Sequence, residues 1–183
     1  MDFIVVLDFL LGVFEREKVD FAFIGGFAVQ AAGVERATKD VDFLILTHDL
    51  AKIKPILLDK GYAIVFENQE MAQFVGKTPA LGRVDFLLAH RKYALSMLKR
   101  ARVREWLGGK YRCKVAVPED VIGLKIQAIA NNPLRRDRDF SDIKALLKKH
   151  GKEMDMELVR EYFRLFEKEG ELDLILRETA NAP

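Results

Sequence analysis

Residues 24–46 read IGGFAVQAAGVERATKDVDFLIL and place a double glycine, a short helix and two carboxylates one residue apart within a single stretch. Side chains alternate across a strand, so in a strand 40–46 Asp40 and Asp42 project to one face, close enough to hold one or two divalent cations together. Gly25 and Gly26 fall between an apolar strand, 21–24, and the helix that follows it. Small residues there let the backbone approach a phosphate, and helix N–H groups can point at it. The combination calls for metal-assisted nucleotide chemistry.

Working outward, the chain has 183 residues, half of them apolar, which is the size of one ordinary domain or of one domain with a small helical extension. A single Cys113 excludes an internal disulfide framework and a cysteine-based zinc site, and a reducing cytoplasm is the expected compartment. The apolar opening, MDFIVVLDFLLGVF, has no basic flank and carries Asp2 and Asp8, so it is expected to be an amphipathic helix rather than a leader. No apolar run reaches the about 18 residues of a membrane span, and no membrane partner is expected. The net charge of +2 is too near zero to indicate a nucleic-acid partner or to exclude one.

Hydrophobic periodicity predicts alternating elements over the first part of the chain. These are helix 3–17, strand 21–24, helix 26–32, strand 40–46, helix 48–60, a hairpin 62–66 with 71–75, strand 83–88, helix 91–101 and a second hairpin 103–107 with 110–115. Beyond Pro118 only helices are expected, at 118–131, 139–150, 154–168 and 170–178. The domain boundary is therefore drawn at 116, with a domain 1–116 and a helical region 117–183 packed on it.

Asp85 interrupts an otherwise apolar strand, RVDFLL, and a buried charge needs a partner or a metal. Arg83 and Arg91 are the alternatives to a metal. Lys125 lies beside the apolar stripe of its helix, where it either snorkels to water or reaches inward to a triphosphate. Asp139 either faces inward with Ile143 and Leu146 or caps its helix, and Asp142 shares the same choice of a site role or none. Arg36 and Thr38 touch phosphate or shape the loop before Asp40. Gly25-Gly26-Phe27 does not match the G-x-G-x-x-G dinucleotide fingerprint. His48, His90 and His150 lack ligand spacing, and Ser96 and Ser141 lack a histidine partner, so neither a zinc site nor a nucleophilic triad is expected. Seven basic residues between Lys99 and Lys114, opposed only by Glu105, would form one surface with the carboxylates if RNA were a substrate.

Taken together, Gly25-Gly26, then Arg36-x-Thr38-x-Asp40-x-Asp42, then the lone Asp85 resemble the nucleotidyltransferase superfamily related to DNA polymerase beta. Val117-Pro118-Glu119-Asp120-Val121-Ile122-Gly123-Leu124-Lys125, followed by Arg136-x-Arg138-Asp139-x-x-Asp142-Ile143, is similar to AbiEii-type and related small bacterial and archaeal nucleotidyltransferases. The resemblance covers roughly residues 20–147. Where the family more usually has Gly-Ser after the first strand this chain has Gly-Gly, as is common among the AbiEii-like members.

The resemblance implies an α+β fold, a mixed sheet flanked by helices with a C-terminal helical extension. It implies transfer of a nucleoside monophosphate from a nucleoside triphosphate to a hydroxyl on a tRNA end, a protein or a small molecule such as an aminoglycoside or lincosamide. Two cations about 3.5–4 Å apart would stabilise attack and departure, with magnesium or manganese as cofactor. Asp40, Asp42 and Asp85 would be metal ligands, with Asp85 holding the metal that activates the acceptor hydroxyl or acting as the base itself, and Gly25, Gly26, Arg36, Thr38, Lys125 and Asp139 would bind nucleotide. An AbiEii-like member would be the toxin of a toxin–antitoxin pair, with an antitoxin partner. The alternative is a catalytically silent nucleotide-binding or partner-binding module of the same fold.

Overall fold

The computed structural model describes residues 1–106 and 108–180. The elements run α1 (Phe3–Glu17), β1 (Phe21–Phe23), α2 (Gly25–Ala31), β2 (Asp40–Leu46), α3 (Leu50–Lys60), β3 (Tyr62–Glu67), β4 (Met71–Gly76), β5 (Arg83–Ala89), α4 (Lys92–Arg100), β6 (Arg102–Trp106) and β7 (Tyr111–Val115), followed by α5 (Pro118–Asn131), α6 (Arg136–His150), α7 (Met156–Leu165) and α8 (Glu169–Ala180). They form two compact units: Met1–Phe27 with Ala37–Ala116, and Ala28–Arg36 with the chain from Val117 on. The first junction, between Phe27 and Ala28, falls inside α2. Leu107, the last residue of the expected strand 103–107, lies outside the described residues. The architecture is α+β, a mixed seven-stranded sheet with flanking helices and a helical C-terminal part.

In the first unit the sheet order is β3-β4-β5-β2-β1-β7-β6. Alternation in β2 sends Val41, Phe43 and Ile45 to one face, where all three are fully buried. Phe43 stacks on Phe86 of β5 at 5.8 Å and meets Phe23 of β1 at 4.6 Å and Phe14 of α1 at 5.0 Å. Phe74 of β4 adds an edge-on contact to Phe86, and Phe27 and Trp106 extend the aromatic layer from Phe23. Helix α1 supplies Val6, Leu7, Leu10, Val13 and Phe14 from its buried stripe. Asp2 caps it through the Val5 N–H, and Lys18 in the left-handed region closes it.

The second unit contains α5 to α8. Asn132 accepts from the Leu134 N–H and sets a 3-10 turn, Pro133–Arg135, that runs directly into α6. The helix therefore begins three residues before the expected 139, and Asp139 is an interior residue rather than a cap. Helix α7 ends earlier than the expected 168, because Glu167 is left-handed and the Lys168 N–H turns back to the Phe163 carbonyl. Gly123 of α5 packs against Tyr162 of α7: a Cβ there would lie 2.7 to 2.9 Å from ring atoms of Tyr162. That ring is buried, and its hydroxyl donates to buried Asp120 at 2.6 Å.

The Tyr162 ring has nowhere to retreat, so Gly123→Ala overpacks the α5–α7 contact. Its gain in helix propensity, about 1 kcal/mol, is outweighed, and we expect a net loss of about 1–2 kcal/mol in urea unfolding. An unchanged or raised midpoint would contradict it.

Candidate active site

Strands β2 and β5 pair in parallel with Asp40 opposite Arg83 and Asp42 opposite Asp85. Register partners share a face, and β4 continues the second row with Gln73 opposite Asp85. Asp40, Asp42, Arg83, Asp85 and Gln73 therefore occupy one face of the sheet, the reverse of the aromatic layer, and all are half-buried. Further along β2 that face is closed, since Leu44 is fully buried.

Each carboxylate is held differently. Gly25 has φ +59°, and a Cβ there would fall 2.6 Å from the Asp42 Cγ, so the Asp42 side chain packs against the bare glycine backbone. Gly26 is buried in the first turn of α2. The Thr38 hydroxyl lies 3.0 Å from the Asp40 carbonyl oxygen and 3.2 Å from its Oδ1, fixing the carboxylate at the start of β2. Asp85 accepts from Arg83 through Nε at 2.8 Å and Nη2 at 3.0 Å, and from Gln73 Nε2 at 3.1 Å. Of the two expected arginines Arg83 is its partner; Arg91 pairs with Glu70 at 2.8 Å. The hydrogen-bonded Asp85, opposed by partial burial and helped by Asp40 and Asp42 at longer range, raises the Arg83 guanidinium above its ordinary value.

Oxygen donors of this kind suit magnesium or manganese. Among the described residues, though, no three acidic, histidine or cysteine side chains gather tightly enough to hold one ion between them as they stand. The donor chemistry fits a divalent cation at Asp40 and Asp42, with Asp85 spoken for by Arg83.

Arg36, Lys125, Asp139 and Asp142 come together in the second unit. Lys125 is buried and does not snorkel: its Nζ donates to Asp139 Oδ1 at 3.1 Å and to Asp142 Oδ2. Arg36 Nε donates to the same Asp142 oxygen at 2.9 Å, and Arg135 Nε donates to Asp139 Oδ2 at 2.8 Å. Lys149 and His150, at the end of α6, donate to the carbonyls of Gly33 and Ala32. Segment 28–36 is thus tied to α6 at both its middle and its end. Burial alone would push the Asp139 carboxyl up; the bonds from Arg135 and Lys125 more than reverse this and leave it below the usual carboxylate range.

The basic residues of 99–114 do not make one surface. In the β6–β7 hairpin Arg102 and Arg104 share the aromatic face, whereas Arg112 and Lys114 lie on the carboxylate face. Lys110 and Lys114 are ion-paired with Asp8 and Asp20. Gln73 and Arg135 were not foreseen from sequence; the alternation of Met71-Ala72-Gln73-Phe74-Val75 is the signal that sets Gln73 on the polar face. Among the described residues no helix is long and apolar enough to cross a membrane.

The fold is shared with solved nucleotidyltransferases. The antibiotic-resistance factor ANT(2'')-Ia matches over 100% of both chains with TM-score 0.65 at 12% identity. Its complex with adenylyl-2''-tobramycin matches with TM-score 0.67 at 12% identity, over 91% of this chain and 99% of that one. The lincomycin-bound lincosamide antibiotic adenylyltransferase LnuA matches 76% of this chain and 93% of its own, with TM-score 0.56 at 17% identity. At these identities the likeness is one of fold. No family model matches the chain, and no curated protein matches it by sequence.

Gly25→Ala forces an L residue into a left-handed conformation and drives its Cβ into Asp42, so urea unfolding should show a loss of about 1–3 kcal/mol. Retained stability would contradict the close packing. Lys125→Met leaves two buried carboxylates short of a cation and should cost about 3 kcal/mol at pH 7. Because Asp139 is depressed in the folded state, its contribution is present above the ordinary carboxylate value and is lost as pH falls below about 4. The wild type should lose more stability over that interval than Lys125→Met, a comparison that denaturation at stepped pH decides.

Proposed function

We propose that this chain transfers a nucleoside monophosphate from a nucleoside triphosphate to a hydroxyl of a small-molecule acceptor. The observation that carries the proposal is the row Asp42–Asp85, with Asp40 on the same face and Asp42 seated on Gly25, in a fold shared with nucleotidyltransferases. Three carboxylates on one polar face, two of them fixed by a glycine and a threonine, are costly to keep together for packing alone.

Asp40 and Asp42 would hold magnesium or manganese, which when bound draws off charge developing on the α-phosphate and the departing pyrophosphate. Gly25 seats the Asp42 side chain on its backbone, so Gly25 and Gly26 would meet a phosphate only through backbone groups beside that carboxylate. Gln73 orients the Asp85 carboxylate, which takes the proton of the acceptor hydroxyl. The acceptor oxygen then bonds to the α-phosphorus as the bond to pyrophosphate breaks. Thr38 keeps Asp40 in place through this exchange. Arg36, Lys125 and Asp139, expected from sequence to bind nucleotide, serve as the internal frame of the second unit.

The split of basic side chains between two sheet faces favours a small acceptor over a tRNA end, whose phosphates need one continuous cationic surface. Kinship to AbiEii-type proteins, a toxin role and an antitoxin partner rest on the sequence motifs alone.

Incubation with α-labelled nucleoside triphosphates, magnesium and separate pools of RNA, protein and hydroxylated small molecules identifies the acceptor. Label should enter the small-molecule pool and should vanish with Asp42→Asn, whose fold stays intact or gains slightly from relieved repulsion. Label in RNA would reassign the acceptor, and labelling unaffected by Asp42→Asn would remove the carboxylates from the chemistry.

A further inference from the structure

We propose that Arg83 is a resident counter-ion that withholds Asp85 from a divalent cation until its guanidinium is displaced. The inference rests on the proposal above that Asp40 and Asp42 hold a cation, with Asp85 the third carboxylate of the same face. Both Asp85 oxygens are engaged by the two arms of one guanidinium, at 2.8 and 3.0 Å, in the bidentate geometry that makes arginine–carboxylate pairs strong. Gln73 holds the carboxylate from the neighbouring strand, so it stays where it is when the arginine leaves. The side chains differ in access to water: Arg83 is 42% exposed and Asp85 15%. The fork can therefore swing outward about a fixed anion.

Arg83 also sits opposite Asp40 in the strand register, one row from the Asp42–Asp85 pair, where its charge acts on all three carboxylates. In that position it neutralises part of their mutual repulsion without a metal. The same charge opposes an incoming dication a few ångströms away, an interaction weakened but not abolished by its partial exposure. A triphosphate offers a displaced guanidinium a partner of matching geometry, which couples cation and nucleotide entry.

The test is Mn2+ titration of the nucleotide-free protein, followed by electron paramagnetic resonance of the free ion, with thermal unfolding as a check on folding. Arg83→Gln should bind Mn2+ roughly tenfold more tightly than the wild type or better. Adding Asp42→Asn to it should abolish that gain. Arg83→Lys, which keeps the charge and loses the fork, should fall between the two and serves where the glutamine variant does not fold. Equal Mn2+ affinity in wild type and both Arg83 variants, with Asp42→Asn weakening all of them, would overturn the role of Arg83 and leave the metal site standing. No Mn2+ binding by any folded variant would overturn both.

Discussion

The aromatic layer on one side of β2 is the constraint from which the rest follows. Phe43 is gripped by Phe14, Phe23 and Phe86, with Val41 and Ile45 buried beside it. A slip of one residue would bring Asp40 and Asp42 into that layer and turn Val41, Phe43 and Ile45 out of it, a cost no local gain offsets. The register of β2 with β5 repeats the constraint through Phe86, and it sets Asp42 opposite Asp85 on the polar face. The candidate active site is in this sense the reverse side of the core.

The two charge clusters in the molecule solve the same problem differently. In the second unit Lys125 and Asp139 lie away from water, and every charge among Arg36, Lys125, Arg135, Asp139 and Asp142 is hydrogen-bonded to an opposite one. Such a network is rigid and joins segment 28–36 to α5 and α6. On the sheet face the carboxylates are half-buried, and the arginine that answers them is 42% exposed. An ion pair open to water on one side is exchangeable. Chemistry that admits a charged substrate requires that, whereas a frame does not.

Gly25 links local backbone to site chemistry. Its positive φ ends β1 and starts α2, and its missing side chain makes the space that Asp42 fills. From sequence the double glycine reads as a close approach of backbone to phosphate. In the folded chain its first partner is a carboxylate of the same protein, across a strand pairing that no local pattern reveals.

The sequence by itself determined the order and type of nearly every element, because alternation and helical periodicity are local. It also set Asp40 and Asp42 on one face, since a period of two admits no other outcome. Element ends were less legible where capping decided them, as at Asn132 before α6 and Glu167 after α7. Only the tertiary structure decided which charges meet. Lys125 with Asp139 and Asp142, Arg36 with Asp142 across more than a hundred residues, Gln73 with Asp85, and the division of the basic hairpin between two faces all depend on strand register and helix packing. Those are set by how the apolar surfaces close on one another. A charged side chain carries no pattern in the sequence that names its partner, because its position is a by-product of that closure.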